Sequence, residues 1–288
     1  MTGPYLAVPP AVPSVTDFTG GPARPGAMVA GAYLRTLRQA RYRSPRDAAR
    51  AAWCTLRTLQ LVETGRTDPD DPEALGRIVD HFLPGTDDIA GELLALAGTD
   101  GTVLDSTPHW ADRIAAVEEL AGTMVLASST TVPAPFRSPM YEAMLRETGN
   151  APHTARALPL THGKSVALYL HEDAVRHGPT AVVRDQAAHL IAHIHTGATI
   201  RIITHRPDHL TDYLPLGAGR VYGQLWLYPI PLYTEETLTH GVHYPDRTSS
   251  TVSGRLEICR TRAASRTDSL GLLWALADGA EWASVVPG

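Results

Sequence analysis

Two helix starts stand so close together, at Ser44 and at Thr55, that the helices they open must pack directly on each other. Ser44 offers a hydroxyl cap, Pro45 fits the first turn, and Asp47 places a carboxylate near the positive end of the helix. Ala48, Ala49 and Ala52 give this helix a thin face suited to close packing. The chain breaks at Trp53-Cys54, and Thr55 caps a following helix with Leu59 and Val62 inward.

The helical pattern extends to both sides. Tyr33, Leu34 and Leu37 mark a helix before the pair. After it, Asp71-Pro72 opens one with Leu75, Ile78, Val79 and Phe82 at helical spacing. A fifth spans 87–97 and stops at Gly98. Residues 27–98 therefore read as one five-helix domain. Residues 1–26, dense in Pro and Gly, read as a tail that builds no core alone.

Beyond 105 the pattern is mixed. Residues 109–124 read as one amphipathic helix through Trp110, Ile114, Val117, Ala121 and Met124. Ser165–Leu170, Thr199–Thr204 and Val221–Tyr228 read as strands. Ser138-Pro139 and Thr180 open helices, and Arg266–Leu276 is another. The fold class is α+β, with residues 105–288 forming a small sheet covered by helices.

Composition narrows the function. At 288 residues and 43% hydrophobic, the chain is long enough for two domains at roughly 150 residues each. The net charge of −5 excludes a polycation that coats nucleic acid. Cys54 and Cys259 are too few for a disulfide framework or a Cys-rich zinc module. No apolar run is long enough for a membrane span, and the first residues lack a secretory pattern. A cytoplasmic protein with no membrane partner is expected. Lys164 is the only lysine; the remaining cations are arginines.

Residues Arg43–Arg66, RSPRDAARAAWCTLRTLQLVETGR, align without a gap to the pattern LTQEELAEAAGVSRSTISRIERGR. The segment resembles the Xre-type helix-turn-helix. Ala49, Ala52, Cys54, Leu59 and Val62 occupy its inward positions, and Glu63-x-Gly65-Arg66 its ending. Val132–Ala143 (VPAPFRSPMYEA) and Val183–Ala188 (VRDQAA) resemble two signatures of an actinobacterial group of these regulators. The resemblance implies a DNA-binding domain followed by a domain for a small ligand or partner protein.

Several positions depart from that family. The exposed positions of the third helix fall on Thr55, Leu56, Arg57, Gln60 and Leu61. Arg57 suits guanine and Gln60 suits adenine, whereas the two leucines read nothing by hydrogen bonds. A phosphate-contacting glutamine is replaced by Pro45, and the turn glycine by Trp53. The signature near 134–138 has gained Pro135, Phe136 and Arg137. Residues 27–66 nevertheless carry a balance of +6, the footprint of phosphate contact.

These departures fit a regulator scaffold put to another use; resemblance to biosynthetic enzymes built on such regulators implies hydrolysis coupled to cyclisation of a small molecule, without a cofactor. Candidate catalytic residues are His171, Glu172, Arg137 and Tyr141, with Trp110, Phe136 and His205 as pocket walls. Arg137 would hold a carboxylate, and a histidine–carboxylate pair would activate water. If the strands ending at Leu170 and Thr204 are parallel neighbours, His171 and His205 share one sheet edge. His189 and His193 lie four apart on one helix face, but no third ligand at a telling spacing accompanies them, so no metal site is expected. The alternative is a dimeric, sequence-specific DNA-binding regulator using Arg46, Thr55, Arg57, Gln60 and Arg66. A third reading is an interaction protein that docks a partner through its second domain.

Overall fold

The computed structural model describes residues 22–42, 44–149, 164–204, 216–227, 230–237, 240–248 and 250–280. Five helices come first: α1 (Pro25–Arg41), α2 (Pro45–Ala51), α3 (Leu56–Glu63), α4 (Ala74–Phe82) and α5 (Asp87–Gly98). Their starts follow from local chemistry. Ser44 Oγ accepts the Asp47 N–H, and Thr55 Oγ1 accepts the Thr58 N–H, so α2 and α3 are capped by the expected hydroxyls. Ala30, Leu34, Ala48, Ala49, Leu59, Val62, Ile78, Val79, Phe82 and Leu93 close one core.

The remainder runs β1 (Val103–Asp105), α6 (Trp110–Leu120), β2 (Thr123–Ser128), α7 (Pro139–Glu147), β3 (Ser165–His171), α8 (Glu172–Arg176), α9 (Thr180–His195) and β4 (Thr199–Ile203). It continues with β5 (Arg220–Leu227), β6 (Ile230–Thr237), β7 (Gly241–Tyr244), α10 (Val252–Arg262) and α11 (Arg266–Ala277). The strands form one sheet in the order β1-β7-β6-β5-β2-β3-β4. β2, β3 and β4 are parallel neighbours; the other pairings are antiparallel. The protein is thus α+β, an N-terminal helical region followed by a sheet with helices on both faces.

Alternation sorts the strand residues. Met124, Leu126, Leu168, Leu170, Ile200 and Ile202 face one way, onto helices α6, α9 and α11. Ala127, Tyr169 and Tyr222 face the other way, onto Val252, Leu256 and Cys259 of α10.

The two regions are tied together. α1 is shared: Ala30 and Leu34 enter the helical core, while Met28, Val29 and Ala32 enter the core beneath the sheet. The fully buried Arg113 on α6 adds a polar tie. Its Nε and Nη2 each reach an Asp105 carboxylate oxygen at 2.7 Å, and its Nη1 reaches Glu92 of α5 at 2.9 Å.

Two expectations change. The helix expected over 109–124 ends at Leu120, and Met124 lies in β2. Thr123–Ser128 pairs with strands on both sides, and this ladder overrides the helical spacing of single apolar residues. The sheet also holds β1, β6 and β7, which the sequence pattern did not mark. Residues 1–21 of the Pro/Gly-rich tail lie outside the described residues; the rest leads straight into α1.

Candidate functional site

Two groups of residues deserve a functional reading: the surface around α3, and the carboxyl ends of the three parallel strands.

The frame of α3 is built from the ending Glu63-x-Gly65. Glu63 accepts two hydrogen bonds from Arg38 of α1, at 2.5 and 3.1 Å, with both side chains 7% exposed. Gly65 has φ +74°, and a Cβ there would lie 2.5 Å from the Met28 backbone nitrogen. Only glycine combines that backbone with that approach. The ending therefore anchors α3 on α1.

On this frame Arg57 and Gln60, three residues apart, are exposed on one side of α3, and Thr55 is exposed at its N-cap. Arg46 and Arg50 are exposed on α2 and make no ion pair among the described residues. Arg57 pairs with Asp70 at 3.3 Å in an exposed contact, which solvent makes weak. Leu61 differs from expectation. It is fully buried with Thr58, Leu59 and Val62, so it does not belong to the outward face. Arg66 stands at the far end of α3, lining a cleft of about 270 Å³ with Arg24, Asp68, Leu75 and Leu94. The buried Arg38–Glu63 pair is neutral as a unit and leaves the positive balance unchanged, and the exposed Arg41 donates to the Phe82 carbonyl.

Trp53 occupies the turn between α2 and α3 with φ +52°, the one non-glycine residue with positive φ among the described residues, and it is 87% exposed. A left-handed conformation costs a side-chain-bearing residue about 1–2 kcal/mol.

Residues 29–88 match the family model for a helix-turn-helix domain. These residues form an Xre-like helix-turn-helix domain. Neither curated proteins nor solved structures give a match to the chain. Within the helix-turn-helix domain, α2 and α3 are the motif's two helices and Trp53 is its turn.

The second group lies where β2, β3 and β4 end together. Ser128 is level with Leu170, and Leu170 with Ile202. In parallel sheets this edge is where ligands bind. Tyr141 is fully buried there; its hydroxyl accepts the Val132 N–H at 3.2 Å and donates to the Ala174 carbonyl at 3.4 Å. Burial raises its pKa, keeping it a donor. Arg137 is 7% exposed; its Nε donates to the Val132 carbonyl at 2.7 Å and its Nη1 to Glu142 at 3.1 Å. Arg137 Nη2, Glu142 Oε1 and Thr131 Oγ1 are buried without a hydrogen-bond partner among the described residues.

His171 ends β3 and caps α8, its Nδ1 accepting the Asp173 N–H at 3.3 Å. Glu172 is buried and lies 3.9 Å from Arg176, one turn along. The sheet edge thus brings Arg137, Tyr141, His171 and Glu172 into one region, through the Tyr141–Ala174 contact. It does not bring Trp110, which opens α6 in the core, where that helix packs on α1, β5 and β7. β3 and β4 are parallel neighbours, the condition set for pairing His171 with His205; His205 itself lies outside the described residues.

Phe136 is fully buried with its ring 5.1 Å from that of His193. His193 Nε2 is 3.2 Å from His189 Nε2, so one ring donates and the other accepts. Burial, and then the neighbouring His189, pull His193 down to about 4. Gln186, missed as a site residue, is fully buried one to two turns earlier on α9. Its Oε1 accepts the Ser138 N–H and its Nε2 donates to the Phe136 carbonyl, both at 2.8 Å. No helix among the described residues is long and apolar enough to cross a membrane.

Proposed function

We propose that the protein is a sequence-specific DNA-binding regulator that acts as a dimer, with the C-terminal region sensing a ligand or partner. The observation that carries this reading is the outward side of α3. Thr55, Arg57 and Gln60 are exposed on a capped helix that α1 holds through Arg38–Glu63. Arg57 has the fork for the O6 and N7 of guanine, and Gln60 the amide for adenine. Arg46 and Arg50 lie beside them as phosphate contacts, which fix register without reading sequence. With Leu61 buried, the outward side is more polar than the sequence suggested. α1 also enters the core beneath the sheet, so a shift there would reach α3 through Arg38–Glu63.

Titration of the protein against its own upstream duplex and a scrambled duplex, across a salt series, tests this. The reading requires a preference of about 10³ or more for its own duplex at physiological salt. Equal binding to both that vanishes with rising salt would refute it.

A second reading, hydrolysis coupled to cyclisation in the C-terminal region, is favoured by one observation. The buried Arg137 Nη2 lacks a hydrogen-bond partner among the described residues, beside the edge where parallel sheets bind ligands. Against it, Tyr141 and Arg137 are held by backbone carbonyls and Glu142, and His171 by the start of α8. Full turnover in folded Arg137→Gln and Glu172→Gln variants would remove this site.

A further inference from the structure

Trp53 combines two features for which a tryptophan gives the folded chain no advantage over glycine. Its backbone is left-handed, at φ +52°, where glycine is the unstrained choice. Its indole is 87% exposed, so almost none of its apolar area is covered. A strained, exposed aromatic points to a role outside the fold. The surroundings say which kind of partner. The Trp53 N–H donates to the Arg50 carbonyl at 3.3 Å, so the residue directly follows the last turn of α2. Arg50 and Arg46, one turn apart, are exposed on that helix, and Thr55 and Arg57 are exposed in the first turn of α3. An exposed aromatic in the turn between the arginine-bearing α2 and Arg57 of α3 suits a polyanion that also offers apolar sugar and base edges.

We propose that Trp53 is a DNA-contact residue, packing its indole against a sugar–base edge beside the groove that receives α3. The proposal rests on the DNA-binding reading above and extends it to a residue that carries no hydrogen-bonding code. The ring supplies contact area at the border between the phosphate contacts of α2 and the base contacts of α3. Its contribution is independent of charge.

The test uses the full chain and fluorescence anisotropy with its own upstream duplex, a scrambled duplex and a salt series. The proteins are wild type, Trp53→Gly, Trp53→Phe and the double variant Arg57→Ala/Gln60→Ala. Trp53→Gly is expected to bind the specific duplex about tenfold more weakly, through loss of covered apolar area. Its salt slope should be unchanged, because no cation is lost. Its melting temperature should equal or exceed that of wild type, because glycine relieves the turn. Trp53→Phe should keep most of the affinity. Wild-type affinity in Trp53→Gly, with binding lost in the double variant, would overturn the role of Trp53 and leave the regulator reading intact. That result would assign the ring to another class of partner, such as an acidic protein. Absence of any preference by the wild type for its own duplex would overturn both.

Discussion

Gln186 holds the backbone on both sides of Arg137: its side-chain oxygen takes the Ser138 N–H and its nitrogen donates to the Phe136 carbonyl. Two stretches that stand far apart in sequence, 132–143 and 183–188, are thus one structural unit. Gln186→Leu leaves a buried donor and a buried acceptor without partners. The expected loss is about 2–4 kcal/mol of stability, read from urea denaturation.

Arg38 and Glu63 form a buried pair between α1 and α3. Glu63→Ala strands a cation that is 6% exposed, with an expected cost of about 3–5 kcal/mol. An apolar replacement of both partners, Arg38→Met with Glu63→Leu, should recover most of that loss. A double-mutant cycle by chemical denaturation separates the two outcomes.

His193 makes stability depend on pH. Its ring is held to about 4 by burial first and by His189 second, while an unfolded histidine titrates near 6.5. Between those values the unfolded chain binds a proton that the folded chain refuses. Stability from this group is present above about pH 6.5 and is lost as pH falls toward 4. The urea midpoint should drop across that window, and His193→Gln should drop less than wild type. An identical drop in both proteins would assign the effect to carboxylates instead.

The two thiols should differ in reactivity. Burial pushes Cys259 up to about 11, and it is fully buried on the face of α10 that packs on the sheet. Cys54 is half-buried beside the motif's turn and is raised by burial and then by Asp71. The thiolate is the species that reacts. Iodoacetamide at pH 8 should label Cys54 first, with Cys259 labelled only on unfolding; peptide mass mapping reads the order.

Much of the N-terminal region was legible because its signals are local. Ser44, Pro45 and Thr55 act within one turn, and the caps form as their chemistry requires. The left-handed turn at Trp53 was legible only through the resemblance, whose pattern carries a glycine there. Leu61 was misplaced because a family pattern gives a side chain's usual direction, while its burial depends on what packs over α3.

Around the sheet the signals are distant, and less was readable. Arg137 was read for its charge, yet a carbonyl at Val132 and a carboxylate at Glu142 decide what that charge does. Glu172 lies one turn from Arg176, the ion pair its spacing allows, and Tyr141 is core. Met124 carries the spacing of a helix, but it sits in a strand with partners on both sides.

The sequence by itself determined the helix starts and the tight pair at α2 and α3. Each depends on neighbours within a few positions. Tertiary structure decided which arginines face solvent, which polar groups are buried, and that α1 serves two cores. Those outcomes depend on groups brought together from distant parts of the chain, and burial fixes their energies only after the whole has folded.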